Sequence, residues 1–404
     1  MAKGNLLRYT EPMPSRHRFH LILFLASFCL SLASGIVNYA LIFYVRDLFG
    51  ADKTAIGLIS AGLDAAYLAG ILVFLRWNRP HPRFILWLAS WSMALCIGVY
   101  LLFPAWTLTF VFHCLFGLAM ALFWPRIMGW LSWGVEGKDL GRIMGRFNFS
   151  WAFGGILAPF LGGLLVEGNP RWPFFTAMGL LAVTGLLMPL GAKLFPELKL
   201  RQAPGPEPEA EPVPGLQGPT PLRHPARLGV AGAYFLTGAL LFIFPAYAKE
   251  SLGFSESLTG SLLLVRLAVA TLGFSLWGRW TFWHFRFGPL AVGMVALLGL
   301  IVLFPFGTQV WQFYLLFAGV GLVFSFLYSY ALFHGVAGSA HRERSMTIHE
   351  AVLNVGLFLG TALGGWISQT WSMTVAFGLC AAVTLGLLTV QAIQNRVGRA
   401  RAAS

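Results

Sequence analysis

Four formally charged side chains stand well inside long apolar stretches of this chain: Asp64, Arg126, Arg266 and Glu350. A charge at the centre of a bilayer-spanning helix costs about 2.5–3.5 kcal/mol or more, so each needs a chemical reason. Carboxyls and guanidiniums offer two: proton uptake and release, and contact with an opposite charge. Asp64 lies ten residues from one end of the second apolar run, and Arg266 about ten from the matching end of the eighth. At 1.5 Å per residue both sit about 15 Å deep, near the bilayer midplane. Arg126 and Glu350 approach from the opposite face, each about 10 Å deep. A carboxyl in a low-dielectric pocket keeps its proton, and a guanidinium beside it favours release. A movement that joins or parts such groups would link proton transfer to that movement. Asp64 and Glu350 are therefore the candidate proton-coupling residues, with Arg266 and Arg126 as charge partners or gates.

The elements that hold these groups follow from composition. The chain has 404 residues, is 57% hydrophobic and only 11% charged, with a mean hydropathy of +0.72. An ordinary soluble domain is about 25% charged. Too little polar surface exists to coat a soluble enzyme of this size. The formal charge of +13 and pI near 10.0 do not point to nucleic acid, because the basic residues occupy short gaps between apolar runs. Twelve runs are long enough to span a bilayer: 19–45, 54–76, 83–103, 107–133, 143–166, 172–194, 228–248, 257–279, 287–305, 310–335, 345–367 and 371–394. No signal peptide is expected, since the first run is too long for one. The expected fold class is an all-α integral membrane protein with twelve transmembrane helices.

With the N-terminus inside, the inner segments hold 22 basic residues and the outer loops four, Arg46, Lys53, Arg171 and Lys249. Both termini are thus expected in the cytoplasm, and the cell inner membrane is the default location. Residues 196–226 are polar and crowded with proline, which reads as an extended linker. It divides the chain into an N-terminal six-helix bundle (1–195) and a C-terminal one (227–395), followed by a tail (396–404). Glu207, Glu209 and Glu211 belong to the solvated spacer. Cys29, Cys96, Cys114 and Cys380 all lie in apolar runs and suggest no disulfide or metal framework. His334, His341 and His349 are seven and eight residues apart, the wrong spacing for ligands on one helix, so no metal and no cofactor is expected.

The two halves repeat. Tyr44 to Gly50 matches Tyr247 to Gly253, 203 positions later, and Gly57, Gly70 and Arg76-Trp77 meet Gly260, Gly273 and Arg279-Trp280. At an offset of 202, Arg142 meets Arg344, Gly154 meets Gly356, and Gly162-Gly163 meets Gly364-Gly365. Two six-helix bundles in the same orientation form a parallel pseudo-two-fold repeat about the membrane normal. This plan resembles the major facilitator superfamily of secondary transporters. Gly154 to Gly163, with Pro159 and Gly162 inside it, resembles the glycine-proline motif of helix five in the drug/proton antiporter branch. The basic loop Arg76 to Arg83 is similar in position and charge to that family's helix 2–3 loop, without its acidic-arginine-glycine core. His113-Cys114-Leu115-Phe116-Gly117 stands where the branch often has an arginine four residues before a glycine. Independently of family, small residues such as Gly154, Gly162 and Gly163 let helices approach closely.

The resemblance implies alternating access around a midplane site. It also implies that Asp64 faces Arg266 near the outer side and Arg126 faces Glu350 as an inner gate. Asn38, His113, Phe123, Trp124, Tyr234, Thr237, Tyr328 and Tyr330 are candidate cavity residues. Scarce intramembrane charge suits a small amphipathic or lipophilic solute, exported against protons by a monomer. Sugar, organic-anion and lysolipid transport, or a non-transporting sensor or chaperone on the same fold, are the alternatives. No metalloprotease helix or serine-hydrolase elbow marks an enzyme, and no phosphate-cradling loop marks an ATP-driven pump.

Overall fold

The computed structural model describes residues 14–74, 81–132, 137–194, 220–337 and 342–403. Most of the proline-rich linker, the loop from Arg76 to Pro80, and His341 lie outside the described residues. Twelve helices are long and apolar enough to cross a membrane. They are α1 (Pro14–Phe49), α2 (Lys53–Phe74), α3 (Pro82–Leu102), α4 (Trp106–Ser132), α5 (Gly137–Gly168) and α6 (Trp172–Leu194) in the first half. The second half holds α7 (Arg223–Ser251), α8 (Glu256–Trp277), α9 (Phe287–Leu303), α10 (Val310–Val336), α11 (Arg342–Thr370) and α12 (Met373–Ala403). Helix begins at Arg223, inside the stretch expected as linker, and α12 runs through most of the expected tail.

Packing repeats with the sequence. In the first bundle α1 lies on α5 and α6, α2 on α4, and α3 on α4 and α6. In the second, α7 lies on α11 and α12, α8 on α10, and α9 on α10 and α12. The bundles meet through α2 with α11 and α5 with α8, two contacts that the repeat exchanges. The ends of α1 and α7 show the same relation in atomic detail. Gly50 and Gly253 both take a left-handed φ, +64° and +67°. Ala51 N–H donates to Val45 O at 3.2 Å, and Phe254 N–H donates to Ala248 O at 3.0 Å. Each is a glycine-terminated Schellman cap, which a side chain at the glycine would strain.

One helix is irregular where the site forms. Pro245 has no N–H for the carbonyl four residues back. Residues Ala239–Ile243 adopt a π-helical turn, and Phe244 N–H reaches Ala239 O instead. Such turns re-aim the side chains around them, and Thr237 stands just before this one.

Candidate functional site

Each hydrogen bond and ion pair between the bundles, among the described residues, lies at the end away from the termini, called here the far end. Lys53 of α2 pairs with Glu250 of α7 at 2.6 Å. Lys249 of α7 lies 3.6 Å from Asp47 of α1 and also pairs with Glu256 of α8. Tyr39 donates its hydroxyl hydrogen to Glu256 O. The Ser257 N–H donates to Glu167 of α5 at 2.8 Å, and the Lys53 N–H to Gln369 of α11 at 3.2 Å. Arg46 and Asp47 also pair with each other, at 2.6 Å. The charged residues near the ends of α1 and α7 therefore tie the bundles together as well as flanking their own helix ends.

Glycines bring the backbones into contact below this latch. A Cβ on Gly163 would meet Glu256 O and Ser257 Cα, and one on Gly260 would meet the Pro159 carbonyl. Gly57 and Gly365 make the equivalent approach between α2 and α11. Gly154 and Gly162 instead face α1, at Phe28 and Tyr39. The glycine-proline segment is thus a packing surface with two faces, one within its bundle and one across the interface.

Toward the terminal end no hydrogen bond or ion pair between described residues crosses the bundles, and the polar residues on their facing helices lie from mid-span toward that end. Glu350 of α11 is exposed and lies near Tyr67 on α2, Tyr234 on α7 and Tyr328 on α10. Tyr328 packs against Phe324 and Tyr234 with ring centroids 6.1 and 6.5 Å apart. It also meets the His349 ring at 5.5 Å, and both His349 nitrogens are buried without a hydrogen bond. Arg266 is 1% exposed. Its guanidinium lies 5.0 Å from the Phe324 ring centroid and donates from Nη2 to Thr237 Oγ1 at 2.6 Å. Asp64 is 7% exposed, and its Oδ2 is sealed without a partner.

The structure therefore gathers Glu350, Tyr234, Tyr328, Thr237 and Arg266 into one region. It does not join the expected pairs: no ion pair links Asp64 with Arg266, or Arg126 with Glu350, in this conformation. Arg266 is turned to Thr237 and Phe324, and Arg126 Nη2 reaches the Phe74 carbonyl at 3.4 Å. Several other candidates sit elsewhere. His113 is buried within the first bundle, 3.1 Å from the Tyr100 hydroxyl. Tyr330 is fully buried and donates to Arg286 O at 2.9 Å, so its hydroxyl serves the second bundle's interior. Phe123 is also fully buried. Trp124 stacks edge-on with Phe147 and Trp151 of α5. Asn38 is half-buried, with its Oδ1 unpartnered. Tyr67 is the residue that sequence reasoning missed. Its signal is its place three residues after Asp64, on the same face of α2.

Two six-helix bundles related by a parallel repeat and tied together by ion pairs at one end have the architecture of a secondary transporter working by alternating access. The sequence model of the Major Facilitator Superfamily matches residues 23–333 and 228–393. The chain belongs to that superfamily. Among curated proteins, none matches it in sequence. Solved structures share the fold at low identity. A bacterial homologue of the human lysosomal transporter Spinster, inward-facing and occupied, aligns with TM-score 0.73 and 14% identity over 96% of this chain and 98% of that one. The same title without occupancy gives 0.66 and 15% over 95% of both. A point mutant of the nucleoside transporter NupG gives 0.71 and 13% over 93% of this chain and 99% of that one.

Proposed function

We propose that this transporter exports a small amphipathic solute in exchange for protons, with its terminal end in the cytoplasm. The observation that carries this reading is the cluster around Glu350. The hydroxyls of Tyr67, Tyr234 and Tyr328 make no hydrogen bond to a described residue, and the Tyr234 and Tyr328 rings pack together beside His349, the chain neighbour of Glu350. Three free hydroxyls mounted on aromatic rings suit a ligand with an apolar body and a few polar atoms. The few charges argue against a polyanion. The cytoplasmic assignment of the terminal end rests on the basic residues of its loops.

Asp64 and Glu350 are the proton carriers in this reading. A carboxyl buried without a partner, as Asp64 is, is tolerable as the neutral acid and costly as the anion. A conformation that brings a guanidinium or a polar ligand beside it reverses that balance. The experiment is a thermal-shift screen of the purified protein at two pH values, against drugs, sugars, organic anions and lysolipids. Any ligand that binds the folded state alone raises Tm. The reading expects amphipathic ligands whose shift depends on pH in the wild type but not in Asp64→Asn. Sugars as the hit class would refute the substrate assignment, and a pH-independent shift would remove Asp64 from the mechanism.

A further inference from the structure

Arg266 presents an electrostatic problem that the fold leaves unsolved. Its side chain is almost completely buried, and no carboxylate among the described residues pairs with it. A hydroxyl at 2.6 Å and an aromatic face are its only contacts of note. Its Nε makes no hydrogen bond at all. A buried charge left without an opposite charge is strongly destabilising, because its lost hydration is not replaced. A cation held this way is stable only if something supplies the opposite charge during the working cycle.

The position of Arg266 says what can supply it. It lies six residues below Gly260 on α8, deeper than the α5–α8 contact, and reaches across to Thr237 beside the π-helical turn of α7. Phe324 covers one face of the guanidinium, and Tyr234 packs on Phe324 with ring centroids 5.2 Å apart. Both rings belong to the aromatic group around Tyr328. The guanidinium thus sits behind the aromatic wall of the proposed cleft. A planar fork of N–H donors recognises carboxylates and phosphates bidentately.

We infer that Arg266 is the docking site for an anionic headgroup, so that the transported solute is an amphipathic anion: one carboxylate, sulfonate or phosphate on an aromatic or alkyl body. This deepens the proposed function and rests on its placement of the cleft. The anion completes the ion pair that the protein leaves open, and the apolar body lies along Phe324, Tyr234 and Tyr328. Asp64, on the other bundle, then carries protons without having to neutralise Arg266.

The test compares three ligands with one aromatic body: phenylbutyrate, phenylbutyramide and phenylbutylamine. Binding to wild type, Arg266→Lys and Arg266→Gln is measured by thermal shift in a neutral detergent. Phenylbutyrate is expected to bind at least about tenfold more tightly than the amide, as a charge-assisted contact implies. That preference should vanish in Arg266→Gln and survive in part in Arg266→Lys. Asp64→Asn should keep it. Equal binding of the three ligands, preference for the amine, or an unchanged preference in Arg266→Gln overturns the inference. If Arg266→Gln does not fold, the wild-type ligand ranking decides alone. A parallel arm with lysophosphatidylglycerol separates sources: a shift there alone assigns the anion to a lipid. A cationic or neutral amphiphile that binds with Asp64-dependent pH sensitivity would sink this inference and leave the proposed function standing.

Discussion

At the residue scale, the account places recognition in three tyrosine hydroxyls and one carboxylate. Tyr67→Phe, Tyr234→Phe and Tyr328→Phe remove only an oxygen, and none of these hydroxyls holds another described residue. Each substitution should leave Tm within a degree or so while weakening ligand binding about three- to tenfold, the worth of one hydrogen bond. Titration calorimetry beside a melting curve checks both halves. A large fall in Tm would show that the hydroxyl is structural. Tyr330→Phe is the contrast, because its hydroxyl is bonded to Arg286 O; it should cost stability and spare binding. The sequence made Asp64, Arg266 and Glu350 legible, since a charge in an apolar run is visible without a fold. It did not separate Tyr328 from Tyr330. Those two stand two residues apart in a helix that is aromatic on most sides, and only the packing of α9 and α11 decides which one meets the cleft.

At the element scale, helix spacing is set by glycines. Gly360 of α11 lies against the Phe235 backbone of α7, so an added Cβ would collide with a carbonyl that cannot move alone. Gly360→Ala should therefore destabilise by about 1–3 kcal/mol through overpacking. Gly378 of α12 has no neighbour that a Cβ would meet. Gly378→Ala should be neutral or stabilise by up to about 1 kcal/mol, because the helix interior prefers alanine. Parallel denaturation curves test the pair, and an equal effect of both would mean that the helices are not held at these distances. The twelve spans were readable from length and hydropathy, and the repeat from paired glycines such as Gly50 and Gly253. The π-helical turn of α7 was not read, although Pro245 stood in the sequence. A proline inside a membrane helix allows a kink, a register change or nothing visible, and neighbouring helices choose among them.

At the scale of the whole molecule, the far-end ion pairs are expected to bias which side of the cleft is shut. Lys53–Glu250 and Lys249–Asp47 both cross between bundles. Partly exposed pairs of this kind contribute about 0.2–1 kcal/mol each, enough to tilt a balanced two-state equilibrium and too little to lock it. Lys53→Glu should favour opening at the far end, and adding Glu250→Lys should restore closure. Accessibility of a cysteine placed on the cleft side of α2 reports the outcome; failure of the double reversal to restore protection would mean that these charges do not gate. The sequence displayed Arg46–Asp47 and Lys249–Glu250 as a repeated pair at the ends of α1 and α7, and Lys53 as an outer-loop base. It did not show that they reach across, because that depends on how two bundles dock, which no local pattern encodes.

Alternating access about this cleft can be tested by paired distances without a known substrate. Spin labels at Asn169 and Thr370 report across the far end, and labels at Lys193 and Arg286 report across the terminal end, all on exposed positions. Three of the four native cysteines are buried and the fourth is half-buried, which favours selective labelling. Pulsed-resonance distances are measured in lipid nanodiscs at several pH values. The account predicts two populations at each end, with the far-end distance lengthening as the terminal-end distance shortens, and their balance moving with pH and held still by Asp64→Asn. A single distance at each end, unchanged across pH, would contradict it.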